Sequence, residues 1–439
     1  SMLSHFFDIR KDSKAMFQGL KIAENTELCD EWMNQWPVVF LSFKNIDGDK
    51  FSLAYQQMVY EIGLLYDSYS ELLTSNKLSE DDKALFLQLK RRTANEIDVL
   101  RSIQFLLSLL YKHYGKTVIL LLDEYDVPLA KSSAHGYYPD MLNVIKSMMT
   151  TSLKDNNTLR FAVITGCLRI AKESIFTGTN NFVSDTISSS HLNEYFGFTQ
   201  ADVDQILKDA DCLEHAADIK NWYDGYHFGD LDVYCPWDVM NYLRDLQRNP
   251  KAKPASYWKN TSDNSIIRSF IDYAGRSISR KLETLLSGGY IIQKIEENLT
   301  YDYLHSSEEN LWSILYLTGY LTQAREEDLP APLPEKTSAL MIPNAEVQEI
   351  FETTIQKWFD ESAQTWNLTT LFDAMWSGDA ETLTAEINKL LYKTISYHDY
   401  KEDFYHAFLT GIAGLILVLF WLLPYISQLF ETVKTLFAL

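Results

Sequence analysis

Basic residues are scarce in this chain of 439 residues, in which 39 Lys and Arg stand against 60 Asp and Glu for a formal charge of −21. A surface of that sign repels polyanions unless cations cluster locally. The densest short run is only Lys90, Arg91 and Arg92, which reads as a solvated helix face. Nucleic acid is therefore disfavoured as a partner. Cysteine is scarce too: Cys29, Cys167, Cys212 and Cys235 are scattered, with no C-x-x-C pair and no His at metal spacing. That excludes a structural zinc site and fits a reduced, cytoplasmic chain. No signal peptide opens the sequence, because its first apolar residues are broken by His5, Asp8, Arg10 and Lys11. No internal repeat is present.

A chain of this length exceeds one compact core and implies two or three domains. Leu3–Phe17 reads as an amphipathic helix. Pro37 then introduces the short buried strand Val38–Phe43, helical periodicity runs over Leu53–Leu73 and Ile97–His113, and Gly115 supplies a stop signal. The strand VILLLDEYD follows. After it come a polar loop with Pro128, Gly136 and Pro139, a helix over Met141–Leu153 and a third apolar strand, Leu159–Gly166. Uniformly apolar strands alternating with helices predict an α/β fold with a parallel sheet covered on both faces.

From about His191 helices dominate, interrupted by the aromatic and Gly-rich stretch WYDGYHFGDLDVYCPWDVMNYL (Trp222–Leu243). A β-hairpin is expected between Tyr290 and Leu304, turning at Glu297 and Asn298. The clearest composition break is Asp328–Lys336, DLPAPLPEK, with a further helical region after it. Near the end, Phe408–Tyr425 carries no charge and reaches the ~18-residue lower limit of a membrane-spanning helix. These features divide the chain into 1–190, 191–327, 328–407 and 408–439.

Asp123 and Glu124 end the strand VILLLD at the carboxyl edge of the expected sheet, where ligands of open α/β folds bind. In P-loop NTPases the first such acid holds Mg²⁺ and the next orients or deprotonates the attacking water. The plainer alternative is that the pair opens a polar loop. Thr165, at the tip of the neighbouring strand, stands where such ATPases keep a residue that senses the γ-phosphate. Asp126 either supports a metal site or caps the turn before Pro128. The phosphate cradle itself should read G-x-x-x-x-G-K-[ST] between a strand and a helix. The only GKT is Gly115, Lys116 and Thr117, with Leu at position 110 and the order helix then strand. It is not a P-loop, and Gly115 reads as a helix C-cap.

The segments PVVFLSFK (Pro37–Lys44), VILLLDEYDVPL, VITGCLRIAKESIFTGTNN (Val163–Asn181), the Trp222–Leu243 block, YWKNTS (Tyr257–Ser262), LYLTGYLT (Leu315–Thr322), IPNAEVQEIF (Ile342–Phe351) and YHAFLTG (Tyr405–Gly411) run in order along nearly the whole chain. In this the sequence resembles the family of predicted AAA-type ATPases with a C-terminal PD-(D/E)xK nuclease-like region, frequent in anaerobic bacteria. The resemblance implies a P-loop NTPase-like core, a mostly helical lid or winged-helix-like domain and the helical start of a nuclease-like region. It implies Asp123 and Glu124 as a Walker B pair with ATP and Mg²⁺ as cofactors, Thr165 as a sensor, and Arg169 and Lys172 as phosphate contacts or a finger reaching a neighbouring subunit. Surface charge on a loop remains the alternative for those two cations. It also implies a P-loop just before the segment matching SMLSHFF, so that this chain begins downstream of it and binds ATP poorly.

The resemblance fails at the C-terminus. After Gly411 the chain turns apolar, Glu431 and Lys434 have the wrong spacing for a (D/E)-x-K pair, and Glu402 is left as the sole acid of that site. No working nuclease is expected, and the tail reads as a reading-frame shift near Ile412 or as a membrane anchor. Two functions stand at this point. One is an ATPase driving an unknown protein partner, with homo-oligomers expected. The other is a non-enzymatic, membrane-associated interaction protein derived from that family.

Overall fold

The computed structural model describes residues 1–167, 183–258, 276–297, 299 and 307–365, with separate positions between 370 and 385. Arg169, Lys172, Glu402 and the apolar stretch 408–425 lie outside them. The chain divides into two compact units, 1–266 with 290–348 and 267–289 with 349–439.

Four short helices, α1 (Met2–Phe7), α2 (Lys14–Phe17), α3 (Lys21–Glu24) and α4 (Thr26–Trp32), precede β1 (Val38–Ser42). Between β1 and β2 (Val118–Asp123) lie α5 (Phe51–Asp67), α6 (Glu80–Lys90), α7 (Glu96–Leu100) and α8 (Ser102–Tyr114). Helices α9 (Val127–Ala134) and α10 (Tyr138–Leu153) then lead to β3 (Leu159–Ile164). The three strands form one parallel sheet in the order β1-β2-β3, with Ser42 beside Asp123 and Leu122 beside Ile164. This is the α/β sheet that the alternating pattern predicts.

Side-chain alternation explains its cover. Val39, Leu41, Val118, Leu120 and Leu122 face the main core, where they meet residues of α5, α8 and α10. Val38, Ile119 and Leu121 face the other way, against Leu3 and Phe7 of α1, Trp32 and Trp36. Helix α8 ends where Gly115 adopts φ +68° and donates its N–H to Tyr111 O at 2.8 Å, a left-handed stop that a Cβ would strain. The neighbouring Lys116 reaches back to Gln35 O at 2.9 Å and lies over the Trp36 ring. Its ammonium therefore sits at the amino end of β2, remote from Asp123.

Several local expectations are corrected. Pro128 and Pro139 do not mark a loop; each occupies the first turn of a helix, α9 and α10, where a missing N–H costs nothing. The helix expected over Leu3–Phe17 breaks at Asp8, which leaves α1 to bridge Trp36. Asp8 is 1% exposed and is gripped by the Arg10 guanidinium through Nη2 at 2.9 Å and Nε at 3.1 Å. Arg10 also donates to Ser68 O and covers the Tyr69 ring at 3.9 Å, so the pair fastens the amino-terminal segment to the end of α5. A helix through this point would lose that pairing.

The second region holds α11 (Gln200–Asp209), α12 (Ala216–Tyr223), the hairpin β4 (Tyr226–Phe228) and β5 (Leu231–Val233), then α13 (Pro236–Arg248). Helix α14 (Arg276–Leu286) belongs to the second unit. Strand β6 (Ile291–Gln293), helix α15 (Glu308–Leu317), and strands β7 (Thr322–Gln323) and β8 (Ser338–Met341) follow, before α16 (Ala345–Thr365). The sheet order is β6-β8-β7. The expected hairpin at 290–304 is met differently: β6 pairs antiparallel with β8, and most of its second arm lies outside the described residues. The Pro-rich Asp328–Lys336 connects two paired strands, β7 and β8. Short strands accompany the longer helices of this region.

The Arg10 clasp is testable. Arg10→Met leaves the Asp8 carboxylate buried without its cation. Because Arg10 is a quarter exposed, the expected loss is about 2 kcal/mol, below the ~3–5 of a fully buried pair. Urea unfolding measures it, and Asp8→Asn on the Arg10→Met background should recover part of it.

Candidate functional site

Strand β2 stops being apolar at Asp123, so its carboxyl end delivers Asp123 and Glu124 to the edge of the sheet. Thr165 arrives there from β3: its N–H donates to Leu122 O at 2.9 Å and its O accepts the Tyr125 N–H at 3.1 Å. The Thr165 hydroxyl donates to Asp123 Oδ1 in a short hydrogen bond. Ser42 is paired with Asp123 across the ladder from β1. Three neighbouring strand ends thus meet at Asp123, whose carboxylate is held by one of them.

Glu124 departs from ordinary geometry twice. Its backbone is left-handed, φ +54°, which costs an L side chain about 1–2 kcal/mol. Its Oε2 is buried and has no hydrogen-bond partner, and an unsatisfied buried acceptor costs a further ~1–3 kcal/mol. Both penalties fall on one residue at the open end of the sheet, where strain commonly accompanies function.

Asp126, the residue before α9, makes no side-chain cap bond to that helix. It is buried and accepts the Cys167 N–H at 3.0 Å. This bond fixes the turn after β3 against the turn after β2, and so positions Thr165 relative to Asp123. A Cβ on Gly166 would fall 2.6 Å from Asp126 Oδ1, so the close approach needs a glycine. Burial, then the Asp126 and Glu124 carboxylates, push the Cys167 thiol up to about 11; it is a thiol rather than a thiolate at neutral pH.

Of the residues expected to act together, the structure brings together Asp123 and Thr165, with Glu124 adjacent; Arg169 and Lys172 fall outside the described residues. Cys167, Ser42 and the positioning bond of Asp126 are additions that the sequence did not reveal. A second acid two residues after Glu124 was the signal for Asp126; Cys167 carried none. The donors fit Mg²⁺ chemistry, since all are hard oxygens and Glu124 offers a buried oxygen without a partner. Among the described residues no group of three or more His, Cys, Asp or Glu could hold a metal alone. The set suits an ion that shares its coordination with phosphates and water, as Mg²⁺ does.

A cleft of about 730 Å³ lies elsewhere, between the start of α11 and the Arg325 segment. Its polar groups satisfy one another: Arg325 pairs with Asp232, and His227 Nδ1 lies 3.0 Å from Asp232. Burial, then the Arg325 charge, holds His227 below its ordinary value.

Residues 1–176 match the model of a family described as Predicted AAA-ATPase. That stretch ends just beyond Thr165 and contains all three strands. Residues 401–436 match a second model, the Stage III sporulation protein AC/AD protein family. An uncharacterized protein in the vnfD 5′ region of Azotobacter chroococcum mcd 1 is 22% identical over 380 residues, covering 84% of this chain and 63% of its own length. The chain therefore spans under two thirds of that relative. No solved structure matches. The nuclease-like region expected after residue 328 lies beyond the first match.

Glu124→Gly is expected to stabilise the fold by about 1 kcal/mol, because it relieves the left-handed backbone and removes a buried unpartnered oxygen. Denaturant titration measures the gain; an unchanged or lower midpoint would mean that Glu124 is held by compensating contacts.

Proposed function

We propose that the chain is the hydrolytic edge of an AAA-like ATPase, whose nucleotide state drives an unknown protein partner. Asp123 holds Mg²⁺, Thr165 keeps that carboxylate oriented through its hydroxyl and senses the γ-phosphate, and Glu124 accepts a hydrogen bond from the attacking water. Mg²⁺ with ATP would supply the leaving group and neutralise the charge that develops on it. Glu124 carries the reading. A strained backbone and a desolvated, unpartnered carboxylate oxygen are costs without return in a purely structural turn, and they coincide at the position from which a water can be polarised. The family match over 1–176 supports the assignment.

The finer parts rest on resemblance. Arg169 and Lys172 are proposed to contact phosphate or a neighbouring subunit of a homo-oligomer. Residues 328–407 are proposed to derive from a PD-(D/E)xK nuclease-like region that retains no cleavage chemistry, with Glu402 as its remaining acid. The sequence holds no G-x-x-x-x-G-K-[ST]. On this reading the 439 residues alone bind ATP with Mg²⁺ only in the millimolar range, about −4 kcal/mol.

Calorimetric titration of ATP with Mg²⁺ into this chain tests the reading. Millimolar binding is expected, and micromolar affinity would refute the argument about the cradle. In the form that hydrolyses ATP, Glu124→Gln should lower turnover about 10²–10⁴-fold with little effect on nucleotide affinity. Asp123→Asn should weaken the dependence on Mg²⁺. Wild-type turnover in both variants would sink the assignment.

A second reading, a membrane-associated interaction protein, is favoured by the tail. Phe408–Tyr425 is free of charge, and the sporulation-family match covers 401–436; a match to a protein family weighs against a reading-frame accident. Among the described residues no helix is long and apolar enough to cross a membrane, and the tail lies outside them. The full chain is expected to float with liposomes in a density gradient and a chain ending before Phe408 to stay behind. Equal behaviour of the two would remove the anchor.

A further inference from the structure

Outside the ATPase site, the Trp222–Leu243 block hides a second pair of acids. Asp238 lies in the first turn of α13 and Glu346 in the first turn of α16. They are far apart in sequence, yet each is 2% exposed and their carboxyl groups are in hydrogen-bond contact. Glu346 Oε1 accepts the Trp258 N–H at 2.8 Å. Asp238 Oδ1 is fully buried and receives no N–H or hydroxyl donor. No Lys, Arg or His among the described residues forms an ion pair with either.

The surroundings are sealed around them. Gly225, at φ +98°, lies so close to Pro343 that a Cβ would fall 2.1 Å from Pro343 O. Asn344 Nδ2 donates to Asp224 O at 2.9 Å, and its Oδ1 accepts the Val347 N–H at 3.0 Å. The Cys235 thiol lies in hydrogen-bond contact with Asp238. Among the described residues the Tyr223 and Tyr226 phenols also neighbour the pair, and burial raises both. Two ionised carboxylates are disfavoured in contact there, because both are almost wholly buried and no cation among the described residues offsets their repulsion. One negative charge can stay, since two helix amino termini and the Trp258 N–H favour it. The missing donor to Asp238 Oδ1 is then the proton of its neighbour.

We propose that Asp238 and Glu346 share one proton at neutral pH and form a pH-sensitive clasp that closes residues 224–238 onto residues 343–346. Glu346 holds that proton: burial first, then the Asp238 charge, pushes it up to about 8. Burial likewise raises Asp238. When the proton leaves, the two carboxylates repel, and the head of α16, from which the chain enters its second unit, is released. The proposal is independent of the ATPase reading.

The sign follows from linkage. An unfolded Glu loses its proton near pH 4.3, whereas the folded pair keeps one until about pH 8. The folded state binds more protons between those values, so stability is full below about pH 4 and falls as pH rises to about 8. Urea unfolding of the full chain across this range compares wild type with Glu346→Gln, which keeps a neutral donor toward Asp238 at every pH. Relative to that variant, wild type should lose on the order of 10³-fold in its folding equilibrium constant between about pH 5 and pH 9. Parallel curves would overturn the proposal. So would a Glu346→Gln chain less stable at every pH together with wild type stabilised by Mg²⁺ or Ca²⁺, because the pair would then hold a cation. Infrared spectra guard against a variant that does not fold. Wild type near pH 7 should show a buried carboxylic C=O band that disappears near pH 9, and its absence near pH 7 would refute the shared proton.

Discussion

Strand β2 must be dry on both faces, and most of the first unit follows from that requirement. Its side chains alternate between two apolar layers: Val118, Leu120 and Leu122 face the main core, while Ile119 and Leu121 face the aromatic layer of Phe7, Trp32 and Trp36. Parallel neighbours on both sides satisfy its backbone. A strand enclosed in this way can meet water only at its ends. The amino end is closed by Gly115 and by Lys116, whose ammonium is tied to Gln35 O. The carboxyl end is where the apolar run gives way to Asp123 and Glu124, so polar chemistry has one place to go.

The same geometry sets the character of the site. Asp123 is held from β3 by Thr165 and flanked from β1 by Ser42, so its position is inherited from the ladder rather than from a loop. Sites built on strand ends are more precise than sites on loops. Glu124, one residue further, has left the ladder and takes a left-handed turn. The turn after β3 is in turn pinned to Asp126 through the Cys167 N–H. Rigid and strained residues thus stand next to each other, and the strain has a scaffold to bear it.

Much of this was legible in the sequence where the signal is local. Uniform apolar runs marked the three strands, Gly115 marked the end of α8, and the acids after Leu122 marked the edge that matters. What was not legible depends on partners brought from a distance. Pro128 and Pro139 look like loop signals until the helices behind them are seen, because proline suits the first turn of a helix as well as a turn. Asp8 breaks a helical pattern because Arg10, Ser68 and Trp36 reward a different backbone. Strand β6 takes the sequence-distant β8 as a partner, a pairing that no local pattern announces. Asp126 and Cys167, and Asp238 and Glu346, are contacts with no periodicity to announce them.

The buried acids also show how a chain with a charge of −21 places carboxylates indoors. Each needs a partner that offsets lost hydration, and three different ones are used. Asp8 takes a guanidinium, the strongest partner, at a point where two segments must be fixed permanently. Asp126 takes a backbone N–H, which holds the turn after β3 beside the place where Mg²⁺ and phosphate are proposed to bind. Asp238 and Glu346 take a proton from each other, a partner that the solvent can remove. A guanidinium cannot be titrated away near neutrality and a backbone N–H cannot be titrated at all. Of the three partners, only the shared proton can be taken up or released by solvent near neutrality, and it sits at the head of the helix through which the chain enters its second unit.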